Sequence, residues 1–189
     1  MLYTGKGDNG TTKTFGCNQS RISKSSELPE ALGTLDELNA FLGFCKMRAL
    51  TEGDPVVSVG KKQYKTSAII REVQEALFII QAEVAGAPKK IRKTKVTRVE
   101  TLVNTIEGVI PPVVSFSIAG GTDLSAVLDV ARTLSRRAER RVVGVHEGGH
   151  RKISDSSRAY LNRLSSLLFA LARLANASVG VAEENPSYR

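Results

Sequence analysis

The sequence predicts an all-α fold, a bundle of about five helices behind an ordered glycine-rich N-terminal loop. Three observations carry that expectation. Apolar residues recur at three- and four-residue spacing in five stretches, glycine and proline separate the stretches, and no strand pattern of consequence intervenes. The 189 residues fit one domain over 1–189, with a loop over 1–24 and the bundle over 25–189. Hydrophobic content of 41% and charged content of 24% are ordinary for a globular protein. Aromatic residues make up only 5% and tryptophan is absent, so the core must be built from Leu, Val, Ile and Ala.

Residues 1–24 are rich in Gly, Thr, Ser and Lys without periodicity and read as an ordered loop or short hairpin. The first helix carries Leu28, Ala31, Leu32, Leu35, Leu38, Leu42 and Cys45 on one stripe, with Pro29 tolerated in its first turn. Gly53, Pro55 and Gly60 mark a linker over 51–65. A second helix over 66–85 buries Ile69, Ile70, Val73, Leu77, Ile80 and Val84 and stops at Gly86 and Pro88. Thr94 is the expected N-cap of the third, whose face is Val96, Val99, Leu102, Val103 and Ile106. Pro111 to Gly121 is extended, because two prolines and two glycines exclude a helix. Thr122 caps the fourth helix, with Leu124, Val127, Ala131, Leu134, Ala138 and Val142 inward. Ser154 or Asp155 opens the fifth, with Leu161, Leu164, Leu168, Leu171 and Ala175 inward and Asn162, Ser166, Phe169 and Arg173 on the opposite ridge.

The formal charge of +8 points to an anionic partner, whether nucleotide, nucleic acid or membrane surface. No run of about 18 apolar residues exists to span a membrane. Met1-Leu-Tyr-Thr-Gly5 has neither a signal-peptide nor a transit-peptide pattern, and Cys17 and Cys45 read as reduced thiols of a cytoplasmic protein. The fourth helix concentrates the charge in Arg132-Thr-Leu-Ser-Arg136-Arg137-Ala-Glu139-Arg140-Arg141. Arg132, Arg136 and Arg140 stack on successive turns, where like charges cost an isolated helix about 0.2–0.5 kcal/mol per pair. Local stability does not account for such a ridge. A guanidinium fork suits phosphate oxygens, and a solvated basic face is the competing reading.

Thr4-Gly5-Lys6-Gly7-Asp8-Asn9-Gly10-Thr11-Thr12-Lys13 brings glycine amides, hydroxyls and two lysines together, as a phosphate cradle requires. It is not a P-loop, because Thr11 stands where G-x-x-x-x-G-K-S/T needs lysine and no strand precedes it. His146-Glu147-Gly148-Gly149-His150 matches H-E-x-x-H in letters only. Its two glycines would cost a helix about 2 kcal/mol, and no third ligand follows in a sensible context. Asp36 and Glu37 lie beside the apolar stripe of the first helix, as ordinary surface charge or with Asp36 orienting an arginine of the fourth helix. A basic helical nucleic-acid-binding module, supported by Lys89-Lys90-Ile-Arg92-Lys93, and an ATPase using the N-terminal loop are the rival readings.

Taken together, several motifs resemble the ATP:cob(I)alamin adenosyltransferases of the propanediol-utilisation type. They are Tyr3-Thr-Gly-Lys-Gly-Asp8-Asn-Gly10-Thr-Thr12, Ser23-Lys24, Gly33-Thr-Leu-Asp36-Glu-Leu-Asn39, and Phe116 ahead of Gly120-Gly121-Thr122. Ala131-Arg132, Arg136-Arg137-Ala138-Glu139-Arg140 and Tyr160-Leu-Asn162-Arg163-Leu-Ser165 continue the resemblance along most of the chain. It implies a homotrimer with active sites between subunits, ATP and cob(I)alamin as substrates, and Mg²⁺ accompanying ATP. Thr4, Gly5, Lys6, Gly7, Thr12, Lys13, Lys24, Arg136, Arg137, Glu139, Arg140 and Asn162 would bind the nucleotide. Asp36 would pair with Arg132 across the interface, and these two with Arg136 and Phe116 would serve catalysis. Phe116 would stand under the corrin and displace its lower axial base, leaving four-coordinate cob(II)alamin that is easier to reduce. A cob(II)alamin reductase is a further implied partner, with no membrane or nucleic acid. The chain departs from the family pattern at Gly5-Lys6, where a basic residue and threonine are usual, and at Ser166, where aspartate is common.

Overall fold

A computed structural model describes residues 2–15 and 20–188. The expectation for Cys17 lies outside the described residues. Five helices dominate: α1 (Glu27–Thr51), α2 (Thr66–Ala85), α3 (Lys93–Glu107), α4 (Asp123–Glu147) and α5 (Asp155–Ser178). In the N-terminal segment, β1 (Thr11–Thr12) pairs antiparallel with β2 (Ile22–Ser23). α1 packs between α2 and α4, and α5 packs between α4 and α3. Their apolar stripes meet in one cluster in which Leu35, Leu38, Leu42, Ile69, Ile70, Leu77 and Leu128 are fully buried. No helix among the described residues is long and apolar enough to cross a membrane.

The expected caps hold where their reasons were local. Thr122 Oγ1 accepts the Ser125 amide at 3.0 Å, Ser154 Oγ accepts the Ser157 amide at 3.4 Å, and Gly86 ends α2 at φ +107°. The third cap does not. α3 begins at Lys93 with Arg92 in the capping position and no side-chain capping bond, so Thr94 lies inside the first turn.

The expected linker over 51–65 contains a hairpin, β3 (Val56–Val59) with β4 (Lys62–Lys65). Val57 is buried between exposed Val56 and Ser58, and Gly60 takes the first turn position at φ +59°. Asp54 then caps α2 from outside, accepting the Ser67 amide at 2.8 Å and its hydroxyl at 2.6 Å. α5 is held similarly. The buried Glu83 of α2 accepts the Ser154 amide at 2.7 Å and the Ser157 hydroxyl at 2.5 Å.

Two faces differ from the sequence reading. On α4 the innermost positions are Leu124, Leu128, Ala131, Ser135, Ala138, Val142 and Val145, while Val127 and Leu134 are half-buried at its edge. Ser135 is tolerated inside because its hydroxyl donates to the Arg132 carbonyl at 2.8 Å. On α5, Arg173 is buried rather than facing outward, because the chain after α5 folds back and pairs Glu183 with it.

Candidate functional site

The arginines of α4 divide by their neighbours. α1 and α4 run antiparallel, so acids on α1 meet basic residues one side of α4. Glu37 pairs with Arg137, and Glu30 with Arg141 at 3.4 Å. On the other side α5 contributes. Glu139 Oε1 accepts from Asn162 Nδ2 at 2.9 Å, Asn162 Oδ1 accepts from Arg163 at 2.5 Å, and Arg163 reaches Glu100 of α3 at 3.2 Å. Arg132 is bound to Asp129 at 3.1 Å and lies 5.9 Å over the Phe169 ring. Arg136 and Arg140 point outward between these two sets, exposed and without a hydrogen bond or ion pair among the described residues. Two adjacent guanidinium groups without an intrachain partner leave N–H donors free that can receive phosphate oxygens.

The N-terminal segment gathers its own basic and hydroxyl groups. The amides of Asp8 and Gly10 donate to the carbonyls of Gly5 and Gly7, and the Lys24 amide donates to the Gly10 carbonyl at 2.9 Å. Lys24 Nζ lies 3.0 Å from where a Cβ on Gly7 would be, so Gly7 leaves room for that ammonium. Gly5 has φ +66°. Thr4 Oγ1 accepts the Lys6 amide at 3.4 Å, and the Thr12 hydroxyl donates to the Lys13 carbonyl at 3.5 Å. Sequence reasoning missed Arg21. Its guanidinium donates to the Lys6 carbonyl at 2.5 Å and to the Thr11 carbonyl and hydroxyl, both at 2.6 Å, and so ties the two sides of the loop together. The only signal for it is an arginine in a run otherwise rich in serine, lysine and threonine. These loop bonds run within the segment, and the structure does not bring Thr4, Gly5, Lys6, Gly7, Thr12, Lys13 and Lys24 into hydrogen bonds with the α4 ridge of the same chain.

Asp36 is likewise not brought to α4. It is exposed on the outer face of α1, in a groove of about 540 Å³ lined by Leu32, Gly33, Phe78, Gln81 and Ala82. Within the chain, Glu37 and Glu30 pair with arginines of α4 because they lie on the α4 side of α1. Phe116 projects from the irregular segment ahead of α4 and is 79% exposed.

The remaining candidates do other work. Burial pushes the Cys45 thiol up to about 12, and its Sγ lies 3.5 Å from the Val127 carbonyl, so it is a packed apolar group rather than a nucleophile. His146 Nδ1 accepts the Ile153 amide at 3.1 Å, while His150 lies beyond the helix end, 3.3 Å from Glu27. The two histidines thus serve separate structural contacts.

The family model described as cobalamin adenosyltransferase matches residues 2–175. A corrinoid adenosyltransferase of Citrobacter freundii is 36% identical over 180 residues, covering 92% of this chain and 93% of that protein. One of Bacillus subtilis is 34% identical over 188 residues, covering 96% and 90%. Against the corrinoid adenosyltransferase PduO of C. freundii the chain is 36% identical over 91% of its own length but spans only 49% of that longer protein. Among solved structures, a variant PduO-type ATP:corrinoid adenosyltransferase from Lactobacillus reuteri complexed with cobalamin and ATP superposes with a TM-score of 0.84 at 27% identity, covering 99% of both chains. With matched helices, a matched N-terminal segment and identity above 30% over nearly the whole length of two relatives, this chain belongs to the cobalamin adenosyltransferase family.

Proposed function

We propose that this chain transfers the 5′-deoxyadenosyl group of ATP to cob(I)alamin, giving adenosylcobalamin and tripolyphosphate. The observation that carries the reading is the Arg136–Arg140 ridge, unpaired among the described residues, beside Glu139 and Asn162. Co(I) is itself the nucleophile. It attacks the 5′ carbon, the cobalt–carbon bond forms as the carbon–oxygen bond to the α-phosphate breaks, and the bonding electrons leave with tripolyphosphate. No protein nucleophile or general base is needed. The protein's task is in-line positioning and stabilisation of charge growing on the leaving group.

Arg136, Arg137 and Arg140 grip the phosphates, with Glu139 and Asn162 fixing the edge of the site. Thr4, Gly5, Lys6, Gly7, Thr12, Lys13 and Lys24 close over the same nucleotide. Because the hydrogen bonds given for Thr4, Lys6, Thr12 and Lys24 among the described residues run within the segment, we assign it to the nucleotide held by a neighbouring subunit of a homotrimer. Asp36, exposed in an apolar groove without a partner among the described residues, meets Arg132 of a neighbouring subunit in that assembly. Phe116 faces the lower side of the corrin. Mg²⁺ fits as a companion of ATP. The phosphates would carry the ion, with Glu139, held by Asn162, the carboxylate beside them. Bound there, magnesium supplies charge neutralisation of the triphosphate. The chain acts as one cytoplasmic adenosyltransferase domain and receives cob(II)alamin reduced by a separate reductase.

Incubation with ATP, Mg²⁺ and chemically reduced cobalamin tests the reading. The expected result is a light-sensitive adenosyl product with one tripolyphosphate released per turnover. ADP as the product would make the chain an ATPase, and salt-sensitive duplex binding indifferent to ATP would make it a nucleic-acid-binding module.

A further inference from the structure

Phe116 sits on a segment without regular structure, yet both ends of that segment are fixed by α5. At the far end, Thr122 donates its amide to Asn176 Oδ1 at 3.0 Å, and Asn176 Nδ2 donates to the Gly120 carbonyl at 2.9 Å. The intervening Gly121 has φ +103°, and a Cβ there would fall 2.5 Å from Asn176 Oδ1. At the near end, the Arg173 guanidinium donates to the Pro111 carbonyl at 2.7 Å while pairing with Glu183. Arg173 and Asn176 are one helical turn apart, and each is only 6% exposed. Between the anchors, the Ser115 hydroxyl donates to Asn185 at 2.7 Å and the Ile118 amide donates to the Glu184 carbonyl at 2.8 Å.

Asn and Arg are costly to bury unless their polar groups are satisfied. Here the partners are backbone of the Phe116 segment, the α4 N-cap residue Thr122 at which that segment ends, and Glu183 of the chain that follows α5.

We infer that Asn176 and Arg173 are positioning residues for Phe116, fixing the segment so that an exposed ring stands in one place rather than sweeping a range of positions. The inference rests on the reading of Phe116 as the group under the corrin. Asn176 acts through the Gly120–Thr122 turn and touches no substrate. The reach of the ring toward the lower axial position therefore depends on two side chains in the neighbouring helix.

Asn176→Ala and Glu183→Gln test it, with Phe116→Ala as reference. ATP and cob(II)alamin are supplied, the four-coordinate fraction is read by electron paramagnetic resonance, and turnover is compared from cob(II)alamin with a reductant and from pre-reduced cob(I)alamin. Asn176→Ala is expected to cut the four-coordinate fraction several-fold and turnover from cob(II)alamin at least tenfold. KM for ATP should stay within twofold, and the loss from cob(I)alamin should be smaller. Glu183→Gln should move the same readouts in the same direction by less, and it decides the matter if Asn176→Ala fails a thermal melt. A folded variant with the parental four-coordinate fraction, while Phe116→Ala loses it, overturns the positioning role. If Phe116→Ala itself keeps the parental signal, it is the reading of Phe116 that falls.

Discussion

Arg136→Ala is expected to lower turnover without lowering stability. Arg136 has no intrachain partner among the described residues, so truncation breaks no ion pair or hydrogen bond of the fold. It removes two like-charge i,i+4 contacts, with Arg132 and Arg140, each worth about 0.2–0.5 kcal/mol. Alanine also adds about 0.2 kcal/mol of helix propensity. For a chain of this size roughly 1 kcal/mol moves Tm by about 2–4 °C, so Tm should hold or rise by about 1–3 °C. The active site loses more. A hydrogen bond to a charged group is worth about 1.5–3 kcal/mol, and one donor to a developing oxyanion about 10²–10³ in rate. kcat/KM for adenosylcobalamin formation should therefore fall about 10²–10³-fold. Arg137→Ala, which breaks the half-exposed pair with Glu37, should also lose turnover but with a stability loss of about 0–1 kcal/mol. Parental turnover in Arg136→Ala, or a Tm lowered by several degrees, would refute the assignment of that ridge to phosphate.

Asp36→Ala should leave the protomer folded, since Asp36 has no partner within the described chain, while weakening assembly of the proposed trimer and turnover. Sedimentation velocity reads the first, and an intact trimer with full activity would remove the cross-subunit pair. Alkaline stability gives a further test. The Cys45 thiol titrates near about 8.5 when unfolded, but burial holds it up to about 12 in the fold. Its contribution is fully present below the unfolded pKa and is lost as pH rises toward the folded one. Over that window stability should fall by up to about 1.4 kcal/mol per pH unit. Burial, aided by the charge of Glu72, raises the Tyr160 phenol as well and adds to the fall from about pH 10. Urea melts between pH 8 and 11 should show this decline, with a shallower slope in Cys45→Ala. A flat profile in the parent would contradict it.

Features whose cause is local were legible in the chain itself. Five helices follow from apolar spacing, and Gly86, Thr122 and Ser154 end or begin them for reasons found within a few residues. The hairpin over Val56–Lys65 was also locally encoded, in Val alternation and Gly60, but the signal is only four residues long per strand and was masked by the surrounding glycine and proline. The arginine ridge and the glycine-rich loop stand out as charge and conformational freedom with no local use.

The sequence alone determined the helices, their order and the chemical character of the site. Their periodicity is a property of backbone geometry, which every stretch of chain carries with it. Only the tertiary structure decided which arginines have an intrachain carboxylate partner. Arg137 and Arg141 are paired with Glu37 and Glu30 because α1 lies antiparallel to α4, and Arg173 is buried because the chain after α5 returns over it. Arg136 and Arg140 stay free because no element covers that face of α4 in the described chain. Such pairings join residues far apart in sequence, and a charge's partner depends on which helix packs beside it.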